Sequence, residues 1–93
     1  MTYKILPYTY EKAKQLNLQV FPSDNQAYKI KICDQNEKFL YYGGDPNYSD
    51  YPSYIKSHGK VYADARRLLY HERHKKEIKK VGSRGWVIAQ LLW

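Results

Sequence analysis

Residues 28–33 read Tyr-Lys-Ile-Lys-Ile-Cys, in which Tyr28, Ile30 and Ile32 alternate with Lys29, Lys31 and Cys33. A period of two suits a strand with one buried face and does not suit a helix. Asp34-Gln35-Asn36-Glu37 follows as turn chemistry, and Lys38 to Tyr42 supplies a second, aromatic-rich strand that stops at Gly43-Gly44. The pattern predicts an antiparallel β-hairpin over residues 28–42. Upstream, Tyr10 to Leu16 reads as a short helix with Thr9 as its N-cap, and Leu18, Val20 and Phe21 offer a brief extended piece ended by Pro22-Ser23-Asp24-Asn25.

The second half has helical spacing. Gly43 to Pro52 is loop composition, Pro52 suits a first helical position with acidic Asp50 just upstream, and Gly59 separates a short segment from a longer one. A long helix is expected over residues 60–80, with Val61, Ala65, Leu68 and Leu69 as an apolar stripe turned toward the hairpin and Tyr62 at its margin. Gly82 ends that helix, Ser83 can cap another, and Trp86 to Trp93 is almost wholly apolar, so it must be covered as a core plug or as an interface. The expected fold class is α+β: a small antiparallel sheet packed by one long helix and a short apolar terminal segment. At 93 residues the chain suffices for one hydrophobic core and not for two, which implies a single domain over residues 1–93. No stretch approaches the roughly 18 apolar residues of a membrane span, and Met1 to Tyr10 has no apolar run of the secretory kind. The lone Cys33 has no internal disulfide partner and fits a small buried thiol.

Charge is distributed unevenly. Residues 1–50 hold six lysines against six acids, whereas residues 51–93 hold six lysines and four arginines against three acids, which is the whole of the net +7. A field of one sign on one part of a small chain attracts polyanions or acidic protein surfaces. On a helix, Arg66, Tyr70, Arg73 and Glu77 share a face, with Arg67, His71 and His74 beside them. Arginine forks grip phosphates in two-point fashion and an adjacent ring stacks a base or sugar, so Arg66, Arg67, Tyr70, Arg73 and His74 form a candidate nucleic-acid patch. Lys75, Lys76, Lys79, Lys80 and Arg84 extend it. One rival reading of the same residues is a solvated helix face, with Arg73 paired to Glu77 and the tyrosine merely packing; another is a polar frame that fixes the helix to its loop, with the arginines and His74 buried and paired with Asp50, Asp64 or tyrosine hydroxyls.

Other chemistry is poorly supported. The histidines of His71-Glu72-Arg73-His74 are three apart and do not match His-Glu-x-x-His, so no metal is expected there. Acids are few and scattered, so neither an enzyme site nor a cofactor is expected. Gly43-Gly44-Asp45 lacks the spacing and lysine of a phosphate-binding loop. The chain carries 11 tyrosines and 2 phenylalanines, and Tyr48, Tyr51 and Tyr54 form either a packing shelf against the long helix or a stacking surface.

Tyr48-Ser49-Asp50-Tyr51-Pro52-Ser53-Tyr54, then Ala63 with Arg66-Arg67 and Tyr70, Arg73-His74, Gly82-Ser83 with Gly85-Trp86, and Leu91-Leu92-Trp93 carry a further signal. Ala13, Leu16, Val20 and Pro22-Ser23 fit more loosely. Together they resemble an uncharacterised family of small basic proteins or domains encoded by giant DNA viruses, algal viruses and tailed phages. The resemblance implies a viral or phage origin and a virion component, and it carries over no catalytic role because the family has no established activity; the expected location is the virion or the host-cell cytoplasm. The expectation is a non-enzymatic accessory or virion protein that holds DNA or RNA electrostatically. Two alternatives are a structural capsid or tail module, whose basic face grips an acidic protein partner and whose apolar terminal segment meets a neighbour, and an inhibitor of a host-defence enzyme.

Overall fold

The computed structural model describes residues 3–93. It is an α+β fold, with a three-stranded antiparallel sheet and five helices among the described residues. The chain divides into two compact units, one ending at Tyr48 and the other running from Ser49 to Trp93.

The first unit carries the sheet. Helix α1 (Pro7–Gln15) is followed by β1 (Gln19–Pro22), β2 (Ile30–Cys33) and β3 (Phe39–Gly43), in the order β1-β2-β3 with β2 central. The alternation predicted this. Ile30 and Ile32 have no exposed surface, each burial contributing roughly 1.5–3 kcal/mol. Cys33 is buried as well, on a bulge: Ile32 pairs with Tyr41 and Cys33 with Phe39, which leaves Leu40 as the extra residue of β3. In the connecting turn, Asp34 Oδ1 accepts from the amides of Asn36 and Lys38 at 2.9 Å, and Glu37 takes a left-handed conformation at φ 64°. The extended piece upstream becomes β1, in register from Gln19 opposite Cys33 to Pro22 opposite Ile30. One cap is corrected. Helix α1 begins earlier than expected, with Leu6 at the N-cap, because Pro7 fits the first helical position; Thr9 lies inside the helix, fully buried.

The second unit is helical. Asp50, almost wholly buried, caps α2 (Tyr51–His58) by accepting from the Ser53 amide at 3.0 Å. Gly59, at φ 86°, separates α2 from α3 (Lys60–Arg73), and the two helices pack on one another. The helix expected over residues 60–80 is shorter than that. It ends at Arg73; His74 leaves helical geometry at φ −105° and ψ 17°, and a single turn, α4 (Lys75–Ile78), follows. Ser83 caps α5 (Arg84–Leu92) through the Trp86 amide, as the sequence indicated. Helices α4 and α5 approach closely at Gly85, where an added Cβ would stand 2.8 Å from the Glu77 carbonyl oxygen. Val87, Ile88, Ala89, Leu91 and Leu92 are buried, so the apolar terminal segment is core.

The apolar stripe of α3 is also corrected. Val61, Leu68 and Leu69 are 88%, 70% and 53% exposed, and Ala65 is exposed too, whereas Ala63 has no accessible surface. The inner side of this helix is therefore the side the sequence marks as polar.

Candidate nucleic-acid interface

Ala63, Arg67, Tyr70 and His74 are spaced four, three and four residues apart, which aligns them along one side of α3. That side meets aromatic residues of α2 and the end of α5. The Arg67 guanidinium lies 3.5 Å above the ring of Tyr51, and its Nε donates to the main-chain oxygen of Trp93 at 2.5 Å. Tyr70 lies flat on Trp93, with ring centres 4.3 Å apart and planes 7° from parallel, and takes His74 on a stack of 4.2 Å. His74 Nδ1 is bonded to Glu77 Oε2 at 2.7 Å. Tyr54 meets Trp93 and Tyr62, and Tyr62 stacks with His58 at 4.4 Å. A row of rings thus runs His58, Tyr62, Tyr54, Trp93, Tyr70, His74. It joins α2, α3 and α5.

Aromatic faces carry negative charge density and the guanidinium is planar and weakly hydrated, so Arg67 packs on Tyr51 as a flat body while its N–H edge finds an acceptor. A hydrogen bond from a charged donor contributes roughly 1.5–3 kcal/mol and the cation–π contact roughly 0.5–2. The Tyr51 hydroxyl donates to Asp64 Oδ1 at 2.7 Å, and Lys60 Nζ donates to Asp64 Oδ2 at 2.8 Å. Those two donors hold the Asp64 carboxyl below the ordinary aspartate range. The bond to Asp64 and burial raise the Tyr51 hydroxyl pKa; burial first and Glu77 second raise that of Tyr70. Desolvation, reinforced by Arg67, lowers His71, so His71 adds no lasting positive charge near neutrality.

The ten candidate residues accordingly separate. Arg67, Tyr70 and His74 are engaged in the aromatic frame, and Arg66 is half-buried with its guanidinium 5.4 Å from the centre of the Tyr54 ring. Arg73, Lys75, Lys76, Lys79, Lys80 and Arg84 are all exposed. Within residues 73–84 these six cations meet one carboxylate, Glu77. The pairing of Arg73 with Glu77 considered above is replaced by that of His74 with Glu77.

Comparison with protein-family models, with curated proteins and with solved structures gives no match for this chain. Among the described residues, no group of three or more histidine, cysteine, aspartate or glutamate side chains is placed to hold a metal ion, and no helix is long and apolar enough to cross a membrane.

The packing shelf expected of Tyr51 and Tyr54 against the long helix is present, with Arg67 on Tyr51 and with Arg66 and Tyr62 on Tyr54, whereas Tyr48 is exposed. Sequence reasoning does not find Trp93 as the partner of Arg67 and Tyr70, since it places that residue only in the apolar terminal segment. The available signal was Ala63: a small residue four places before Arg67 and seven before Tyr70 marks the line on which a neighbouring helix can approach.

Proposed function

We propose that this protein is a non-enzymatic, virus- or phage-encoded accessory or virion protein that holds nucleic acid by its phosphate backbone, without reading sequence. The observation that supports it is the segment from Arg73 to Arg84: six exposed cations with one carboxylate among them, supported on the end of α3, α4, the following turn and the start of α5. Lysines and arginines that neutralise phosphates release condensed counterions, and this supplies affinity independent of base identity. In this reading the aromatic frame is scaffold. Arg67, Tyr70 and His74 fix α3 and so set where the exposed cations stand, and Arg66, half-buried over the Tyr54 ring, is the member of the helix set nearest in role to the surface group. The viral origin rests on the sequence resemblance alone.

Fluorescence titration of labelled single-stranded and duplex oligonucleotides tests the proposal. Binding is expected at about 50 mM salt, with log affinity falling linearly in log salt and a slope of about −0.9 per phosphate contacted on duplex. Scrambled sequences should bind equally. No binding of either nucleic acid at that salt removes the proposal, and binding of polyglutamate as tight as that of an oligonucleotide of equal charge favours an acidic protein partner instead.

A further inference from the structure

The inner part of the ring row holds the helices together, and its His58 end is less covered. His58 is exposed and Tyr62 is 42% exposed, while Tyr54, Trp93 and Tyr70 are half-buried. His58 and Tyr62 stack with centres 4.4 Å apart and planes 19° from parallel. Tyr54 stands edge-on to both, its plane 60° from that of Tyr62 and 63° from that of His58. The pair is thus ordered within the chain itself, so a further flat group can join the stack with little additional loss of side-chain freedom.

Two arginines share that flank of α3. Tyr62, Arg66, Leu69 and Arg73 follow one another at intervals of four, three and four, about a quarter turn from the buried line of Ala63 and Arg67, and no acid stands among them. Arg67 is bonded to Trp93, but among the described residues no side-chain hydrogen bond or ion pair engages Arg66 or Arg73. The Arg66 guanidinium lies 5.4 Å from the centre of the Tyr54 ring, so its flat body packs while its N–H edge keeps donors for an acceptor outside the chain.

We infer that this flank takes an unpaired base on the His58–Tyr62 stack and phosphates of the same strand on Arg66 and Arg73, which makes single-stranded nucleic acid the ligand class. The inference rests on the proposed nucleic-acid binding and narrows it. Every base has a flat face, so stacking of this kind is as indifferent to sequence as phosphate contact is. A duplex keeps its base faces within its own stack, and offering one to Tyr62 means breaking pairing and stacking first. From Arg66 to Arg73 the helix rises about 10 Å at 1.5 Å per residue, a distance that a few nucleotides of one strand span. Lys75 and Lys76 then continue the cations beyond α3. An acidic peptide would satisfy the arginines and leave the stacked pair without a use, so the rings favour a nucleic-acid strand.

Fluorescence titration of the full chain at about 0.1 M salt tests it with labelled ligands of about 12 nucleotides: oligothymidylate, oligouridylate, an abasic strand with as many phosphates, and a duplex. A base-bearing single strand should bind about tenfold or more tighter than the abasic strand. It should also bind tighter than the duplex, although charge density alone favours the duplex. Either base-bearing strand doing so supports the inference, and the tighter of the two tells DNA from RNA as the source. Tyr62→Ala and His58→Ala, with wild-type circular dichroism, should each bring the ratio of base-bearing to abasic affinity to within about threefold, and Tyr62→Phe should keep it. On the wild-type chain, ultraviolet cross-linking of an iodouracil-substituted strand should join Tyr62 or His58. Equal binding of the base-bearing and abasic strands overturns the inference and leaves phosphate binding standing, whereas no binding of any ligand removes both. A base-dependent gain that survives both alanine substitutions, or a duplex that binds tightest, also overturns it.

Discussion

Arg67 and Arg73 stand six residues apart on one helix and differ in everything but side chain. Arg67 lies on Tyr51 and donates to Trp93, whereas Arg73 is exposed at the start of the cationic run toward Arg84. A guanidinium is a flat, weakly hydrated body as well as a charge, so the helix side that carries rings and small residues can take it inward. The difference teaches that a net charge of one sign in a sequence does not locate a binding surface. It must first be divided into cations that hold the fold and cations left over.

The largest expected effect tests that division from the outside. Replacing Lys75, Lys76, Lys79 and Lys80 together with glutamine removes four of the six exposed cations of residues 73–84. At about 0.1 M salt the oligonucleotide affinity should fall by as much as about three decades, and the log-log salt slope should shrink by about 3.6. Urea unfolding should change little. An affinity kept within about threefold would mean that the phosphate contacts lie elsewhere.

The reverse pattern is expected at Arg67. Arg67→Ala leaves the Tyr51 face uncovered and the Trp93 oxygen without this donor, and should cost about 2–3 kcal/mol in urea unfolding. Oligonucleotide affinity, measured under conditions where the variant stays folded, should fall by no more than the loss of one distant charge implies, about tenfold or less. Arg73→Ala should do the opposite: unfolding within about 0.5 kcal/mol of wild type and a reduced salt slope. If Arg67→Ala weakened binding far more than Arg73→Ala while leaving stability intact, the two arginines would have exchanged roles.

The sequence disclosed some elements through signals that do not depend on what packs where. The alternation at Tyr28, Ile30 and Ile32 located the central strand, Asp50 and Ser83 marked two helix starts, and Gly59 marked a break, because capping and backbone freedom are local, whereas Gly82, expected to end the long helix, stands in the turn after α4, nine residues beyond Arg73. The inner side of α3 is a different matter. Val61, Ala65, Leu68 and Leu69 form the apolar stripe on any hydropathy count, yet the buried side is Ala63, with Arg67, Tyr70 and His74 partly covered along it. Hydropathy treats arginine, tyrosine and histidine as polar wholes, whereas here their faces pack and only their edges seek partners. The partners, Tyr51 and Trp93, are 16 and 26 residues from Arg67 along the chain, beyond the reach of helical spacing. The end of α3 was hidden for the same reason, since His74 is tied to Tyr70 and Glu77 where the backbone turns.

Alkaline pH sharpens the frame further. Both Tyr51 and Tyr70 have pKa values raised above the ordinary tyrosine value of 10.0. The unfolded chain therefore loses these two protons at lower pH than the folded one. Stability from this source is fully present below about pH 10 and is lost as pH rises from there toward the raised folded values. Unfolding midpoints in urea should be level between about pH 7 and 9 and decline above about pH 10. Tyr51→Phe combined with Tyr70→Phe should flatten part of that decline while lowering stability at neutrality, because Asp64 loses a donor. An alkaline decline identical in the double variant would show that the frame tyrosines ionise as freely folded as unfolded.

The smallest effect bears on the outer side. A leucine on the buried stripe of a helix costs about 2–5 kcal/mol when cut back to alanine, through lost burial and the cavity left behind. Leu68 is 70% exposed, so it has little burial to lose and leaves no cavity. Leu68→Ala should therefore shift dilute-protein unfolding by less than about 0.5 kcal/mol, and alanine's higher helix propensity should recover part of that. A loss above about 2 kcal/mol in dilute solution would return Leu68 to the core and, with it, the stripe that hydropathy marks.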